Sequence, residues 1–561
     1  MTRHTFFIIL TLGILLVGHP ARAGKRQDHA VEIDAARVRA RAWLIQHGST
    51  LGITDPDTQL RETSAQVLKV GIVLRYRQIY EGVPVYRASL ILSVTERDVR
   101  STSGVVVGIR AETRPSVTAD RAAAIAIGKR KLKAKPEILE TTLLVVPRYA
   151  LGDVPANDRL AWEVTLATDN DVDGATSRRI IVDALTCEIL ADDDDIVHAT
   201  YILTWPRAEG AYVDRSVRAV GELNKPKNGL SKMYLHDPCY GHGQPITPGE
   251  WSLRCSKYDE NLNYFIADGL GNWVGNANGK FTFTAKPLEF LSTTIGDGQL
   301  GSSNVQTPAA DAMAAIETAF DYLFFTFDRV GLDHNNGPQI RALVRVPLGA
   351  NAAWSSKHRA IQIGNGNIDH YDAAAVDIVA HELGHALSDF GPQLESRGEP
   401  GEVAEGAANM FAMLVSEYSD YDPVPHWIGE KVVKRNYVGS MFSEPTIAFT
   451  YLDDPARKPG TVACYYPDIG SLENHRGAGP ADHMFYLLTY GGTSTCNGNV
   501  VAAIGVEAAA QIWYAGFHQL PETATYASLR QVFVSSAMQL FPGPSVIVQS
   551  TAAAFDAVNV P

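Results

Sequence analysis

Residues 381–385 read His-Glu-Leu-Gly-His, and Glu405 follows in a second helical segment. On a helix of 3.6 residues per turn, positions i and i+4 share one face, so both imidazoles can reach one metal ion while Glu382 stands beside them. A structural zinc site closes with four protein ligands. A catalytic one uses three and keeps a position for water, and two histidines with one glutamate form such a set. His381, His385 and Glu405 are therefore expected to hold zinc.

The competing reading is an ordinary polar helix face, since His-Glu-x-x-His also arises by chance. The surroundings argue against it. Residues 372–390 form an apolar run containing Ala373, Ala374, Ala375, Val376, Ile378, Val379, Ala380, Leu383, Ala386 and Leu387, and Gly391-Pro392 stops it. Ionisable groups set among such neighbours are buried, and buried ionisable groups are paired or bind a metal.

At 561 residues the chain is too long for one core and suggests about three or four domains. With 45% hydrophobic residues, 20% charged residues and a net charge of -13, it carries no basic surface, so nucleic acid is not an expected partner. The start combines Arg3 and His4, an apolar run over 6–17 and Ala21-Arg22-Ala23. This reads as a secretory signal over residues 1–23, cleaved after Ala23, and hence as a secreted, extracellular protein. Its apolar run, about 12 residues, is too short to span a bilayer. No later segment reaches 18 apolar residues, so no stable membrane association is expected. In an exported chain the close pairs Cys239 with Cys255 and Cys464 with Cys496 are disulfide candidates, although spacing does not fix connectivity, and Cys187 is left over.

Residues 24–197 differ in character from the rest. A helical stretch over 32–47 leads to alternating runs over 70–80 and 83–94 joined by Glu81-Gly82, a β-hairpin pattern. A second helix over 119–132 precedes strand-like runs over 143–149, 160–167 and 179–190. Then come Asp192, Asp193, Asp194 and Asp195, a like-charge run expected to be an exposed linker, with calcium binding as the weaker alternative. Residues 200–370 read as mainly β with one long helix over 309–330. From 372 onward the periodicity is helical, over 403–418, 482–490, 506–517, 526–540 and 550–558.

Over nearly its whole length the chain resembles the thermolysin-type (M4) secreted zinc metalloendopeptidases, in particular the pseudolysin and vibriolysin branch. The motifs are Asn351-Ala352-Ala353-Trp354, the zinc helix with Glu405, Glu473-Asn474-His475 with the segment running to Leu488, Ile512-Trp513-Tyr514 and Ala554-Phe555-Asp556-Ala557-Val558. The resemblance implies an α+β fold in two lobes, a β-rich one over 198–371 and an α-helical one over 372–561. A pro-region would precede it, in a fungalysin/thermolysin-propeptide-like module over 24–112 and a PepSY-like module over 113–197. It implies a zymogen that hydrolyses internal peptide bonds, with its own propeptide as inhibitor and folding assistant, and a monomer.

Residue by residue, the resemblance makes Glu382 the catalytic base and His475 an oxyanion donor oriented by Glu473. Asn351 and Ala352 would pair with an extended substrate, while Ile378 and Phe449 would line a pocket for a hydrophobic residue after the scissile bond. Asp377 matches a calcium ligand, making calcium a second candidate cofactor. Glu417, Asp420 and Asp422 lie near it, with an acidic surface turn as the competing reading. Three positions depart from the family pattern: Ser396 replaces a tyrosine that assists the oxyanion, Thr450 replaces a substrate-binding arginine, and Asn409 replaces an aspartate behind a zinc histidine. Arg457 stands in for the arginine only if its loop folds back. The alternative these departures raise is a zinc-binding, poorly active homologue working as an extracellular adhesin or binding module. An exopeptidase would need a charged anchor for a substrate terminus, and none is evident.

Overall fold

The computed structural model describes residues 20–129, 136–148, 150, 157–171, 174–194, 212–220, 250–257, 264–265, 272–280, 288–290, 294–295, 303–333, 339–356, 358–368, 370–419, 424–434 and 448–561. The fold is mixed α+β, β-rich before residue 370 and helical after it.

In the first part, Gly71–Tyr80 and Val83–Val94 form the expected hairpin. Glu81 and Gly82 both have positive φ (46° and 85°), as a two-residue turn matching the strands' twist requires. Eight strands make one sheet. Its two halves meet at a single parallel bridge, Val85 to Val145, and each half carries its own helix. Pro20–His47 buries Ala36, Ala40 and Leu44 against Ile72, Leu74 and Leu90, while Ala119–Lys129 buries Ala122 and Ala126 against Val164 and Ile180. The expected cleavage point after Ala23 falls in the first turn of the earlier helix.

The aspartate run departs from the linker expectation. Asp192, Asp193 and Asp194 complete the edge strand Ile189–Asp194, pairing with Gly174–Asp183. Arg178 faces that strand and reaches Asp192 Oδ1 at 2.9 Å. A cross-strand cation thus offsets charge that composition alone reads as solvated. Asp195 lies outside the described residues.

In the second part, a four-stranded sheet runs in the order Trp273–Asn276, Arg341–Val346, Ala360–Gly364, Ala352–Ser355, with Ala352–Ser355 as an antiparallel edge strand among the described residues. The helix Gln306–Phe327 lies between this sheet and the helical lobe, and one continuous core joins them. The lobe's helices start where caps allow. Ser545 accepts from Ile547 N at 3.1 Å and so begins Val546–Ala557 four residues before periodicity alone would. Cys464 and Cys496 are bonded, with Cα atoms 5.6 Å apart, and Cys187 is free. Cys239 and the Cys255 side chain lie outside the described residues. Among those residues, no helix is long and apolar enough to cross a membrane.

Candidate active site

The site begins with two helices in backbone contact. Val376–Asp389 carries His381, Glu382 and His385, and Gly398–Ser419 carries Glu405 and Asn409. They meet at Gly384, where a Cβ would lie 2.7 Å from Ala408 Cα, so only glycine permits this approach. A second close approach, Gly406 on Ala481, seats the helix Gly479–Tyr490 and the short turn before it, which bears His475.

These contacts converge three imidazoles on one carboxylate. Glu405 Oε2 lies 3.3 Å from His381 Nε2, 3.6 Å from His385 Nε2 and 3.3 Å from His475 Nε2. His381 Nε2 and His385 Nε2 are 3.1 Å apart, and the ligating atoms of His381, His385 and Glu405 all lie within 4.8 Å of one another. Glu405 is fully buried, yet neither of its oxygens has a hydrogen-bond partner. A buried carboxylate without hydrogen bonds, set among three imidazole nitrogens, is a site built for a cation, and this donor set matches zinc.

The local charges follow. Burial would raise Glu405, but His475, His385 and His381 hold it well below the usual carboxylate range. Burial, helped by the nearby Glu405 carboxylate, pushes Glu382 up against the opposing pull of His381, His385 and His475. Burial lowers His381, yet Glu405 and Glu382 outweigh it and bring the imidazole to about 9. Glu473 accepts from His475 Nδ1 at 2.5 Å and caps its backbone N–H at 3.2 Å, and that side-chain bond brings Glu473 down to about 2.

A cleft cavity of about 450 Å³ gathers Asn351, Ala352, Ile378, Phe449, Thr450, Glu473 and His475 beside Glu382. Lys458 also lines it, a residue sequence reasoning passed over. Arg457 points elsewhere: its guanidinium bonds Asp453 at 3.4 Å and lies over the rings of Trp427 and Tyr451. Asp482, inside the segment from Glu473 to Leu488 but given no role there, stands behind Asn409 with its oxygens 3.0 and 3.2 Å from Asn409 Nδ2. Its signal was an acid in the first turn of an apolar helix, just after Pro480. Burial pushes it up to about 8.

Asp377 accepts from the backbone N–H groups of Ile378 and Gly429 and joins no group of three metal-ligating side chains among the described residues. Glu417 accepts from the Tyr490 hydroxyl. Asp420 and Asp422 lie outside the described residues.

The first part of the chain covers the other side of Glu382. Gln66 donates to Phe390 O (3.0 Å) and Arg75 to His518 O (2.8 Å), while Arg77 pairs with Glu522 and Arg87 with Glu395. Between the two parts lies a cavity of about 680 Å³ lined by Tyr86, Arg87, Trp354, Glu382, His385 and Ser396, among others.

Comparison with known proteins agrees with this geometry. Residues 247–389 match the model of the thermolysin metallopeptidase catalytic domain, and residues 392–560 that of the thermolysin metallopeptidase alpha-helical domain. The chain is 25% identical to a thermolysin of Alicyclobacillus acidocaldarius, over 87% of its own length and 83% of the relative's. It is 28% identical to a bacillolysin of Bacillus caldolyticus, over 87% and 84%. Among solved structures, the precursor of protealysin, a metalloproteinase from Serratia proteamaculans, is 22% identical over 51% of this chain and 87% of its own, at a TM-score of 0.39, an overlap too loose to carry the fold by itself. The two family models together span the whole site, from the edge strand through His475 to the last helix, and the chain belongs to the thermolysin-type (M4) family of zinc metalloendopeptidases.

Proposed function

We propose that this chain is a secreted zinc endopeptidase made as a zymogen, with His381, His385 and Glu405 as metal ligands and Glu382 as general base. The observation that carries the reading is the orphaned, fully buried Glu405 carboxylate facing three imidazole nitrogens. Zinc bound there supplies Lewis acidity toward a peptide carbonyl and makes a bound water acidic enough to react near neutral pH.

The chain's own groups do the rest. Glu382, buried and raised in pKa, takes the proton from the attacking water and delivers it to the leaving amine. The edge strand Ala352–Ser355 has no outer partner among the described residues, so an extended substrate adds to it as a further strand. His475 donates through Nε2 to the developing oxyanion as an imidazolium, the form that Glu405 and Glu473 favour against burial, while its Nδ1–H bonds Glu473. Ile378 and Phe449 give the cleft its apolar side, which favours a hydrophobic residue after the scissile bond. Lys458 supplies a cation for a substrate carbonyl, the task Thr450 cannot perform.

The zymogen reading is supported by the contacts of residues 60–105 with the catalytic lobe. Arg75, Arg77 and Arg87 tie this sheet to His518, Glu522 and Glu395 and restrict the space over Glu382. The module boundaries at 112 and 197 and a processing point near residues 190–210 belong to the same proposal. So does the monomeric state.

Glu382→Gln tests the reading. The variant should keep its zinc, measured by elemental analysis, and lose about 10²–10⁴-fold in casein hydrolysis, because an amide cannot accept the water's proton. Full activity in the variant would remove Glu382 from the mechanism. A zinc-loaded wild-type protein without peptidase activity would favour the adhesin reading.

A further inference from the structure

Behind His381 runs a two-step chain of hydrogen bonds that ends on a carboxyl group. His381 Nδ1 is 2.9 Å from Asn409 Oδ1, and Asn409 Nδ2 lies 3.0 and 3.2 Å from the two oxygens of Asp482. Asn409 is 4% exposed and Asp482 is 1% exposed, so water is not available to replace either partner.

An amide has unlike ends, and that decides what the chain can do. The NH₂ end only donates, so it must face an acceptor, and Asp482 presents an oxygen at both contacts. The carboxylate form of Asp482 offers acceptors only, so it admits the NH₂ end and excludes the amide oxygen, and the bond from Asn409 favours that form against burial. With its NH₂ end fixed there, Asn409 turns Oδ1 toward His381 and accepts a hydrogen bond from Nδ1–H. A neutral imidazole protonated on Nδ1 is bare at Nε2, the nitrogen that faces Glu405 and His385. Turning the amide over would present NH₂ to Nδ1 and place the imidazole proton on Nε2, where a metal ligand must have none.

We infer that Asp482 is a positioning residue for the metal site: by holding the Asn409 amide in one orientation, it selects the His381 tautomer whose Nε2 is free to ligate. The inference rests on the metal-site reading above. It also explains how asparagine serves at 409. A carboxylate at that position would sit about 3 Å from the Asp482 oxygens, and two like charges so close cannot both persist in a buried site. The carboxyl is therefore one step farther back, and the amide passes on its direction.

The test is zinc affinity of the chelator-stripped, full-length chain, measured by competition with a chromophoric chelator. Asp482→Asn is isosteric but offers Asn409 both donors and acceptors, so the lock is lost and the zinc Kd should rise about 10–100-fold. The exchange variant Asn409→Asp/Asp482→Asn places a carboxylate directly on His381 Nδ1 and an amide behind it, and should return the Kd close to wild type. A merely structural role predicts no such rescue. An unchanged Kd in Asp482→Asn, or an exchange variant no tighter than Asp482→Asn, overturns the inference. If Asp482→Asn fails to fold by circular dichroism, the exchange variant decides: folded and zinc-binding supports the inference, unfolded overturns it. A wild-type chain that binds no zinc overturns the metal-site reading itself, a distinguishable result.

Discussion

His381, His385 and Glu405 sit on two long helices whose separation is set by backbone contact at Gly384 and Ala408, whereas His475 on a one-turn helix, Thr450 on a two-residue strand, and Ser396 and Lys458 on loops surround the cleft. The first group is fixed by helical periodicity and close packing, so a change of residue type there has no compensating neighbour. The second is fixed by short local elements, where a different residue can supply the same chemistry from a neighbouring position. That contrast accounts for the departures at Ser396 and Thr450, while Asn409, on the helix of Glu405 but behind the ligands, is answered by Asp482. None falls on a ligand or on Glu382.

The comparison is broken most severely at the helices. Glu405→Ala removes the carboxylate on which three imidazoles converge, and should weaken zinc binding well beyond the roughly 100-fold ceiling for losses behind the ligands. Metal analysis after dialysis checks this, and full occupancy in the variant would exclude Glu405 as a ligand. At the rim the effect should be smaller and of another kind. His475→Ala removes a hydrogen-bond donor for the oxyanion and should lower kcat by about 10²–10³-fold, equivalent to about 2.7–4 kcal/mol. Zinc content should stay unchanged in the same preparation. Loss of zinc together with activity would make His475 part of the metal cluster, since its Nε2 is as near to Glu405 as that of His381.

The same contrast governs what could be read from the sequence. The zinc helix was legible because i,i+4 spacing and an apolar run are local properties, and the Glu81-Gly82 turn because its strands alternate on both sides. Helix ends moved by a few residues where a cap such as Ser545 outweighed periodicity. Asp192–194 was misread because the cation that answers it, Arg178, lies on a neighbouring strand that composition does not reveal. Lys458 and Asp482 were missed for a related reason. Lys458 comes from a turn after Pro455, and Asp482 meets Asn409 across 73 residues of chain, so their placement depends on tertiary packing. Arg457, the candidate sequence offered for the rim cation, lies instead over the rings of Trp427 and Tyr451.

The smallest effect should come from Ser396→Tyr, and it sharpens the comparison because it asks whether the rim is tuned or impaired. The Ser396 carbonyl accepts from Asn474 Nδ2 at 2.6 Å, one residue before His475, so position 396 is tethered to the turn that carries the oxyanion donor. A longer side chain with a terminal hydroxyl grown from that point can reach toward the same oxyanion. Tyr371, another tyrosine that could take over the role from a different loop, lies against Lys434 and lines neither cavity beside Glu382. Tyr86 and Arg87 of the first part of the chain line the cavity that Ser396 lines, so the variant must be measured after removal of that part. If His475 works alone, the added donor should raise kcat and kcat/KM together by a few-fold, about 1 kcal/mol, with little change in KM, because a group that bonds only the transition state acts on both. A folded, zinc-loaded Ser396→Tyr enzyme with unchanged or lower kcat would mean that the rim already supplies a second donor, and that the serine leaves room for it.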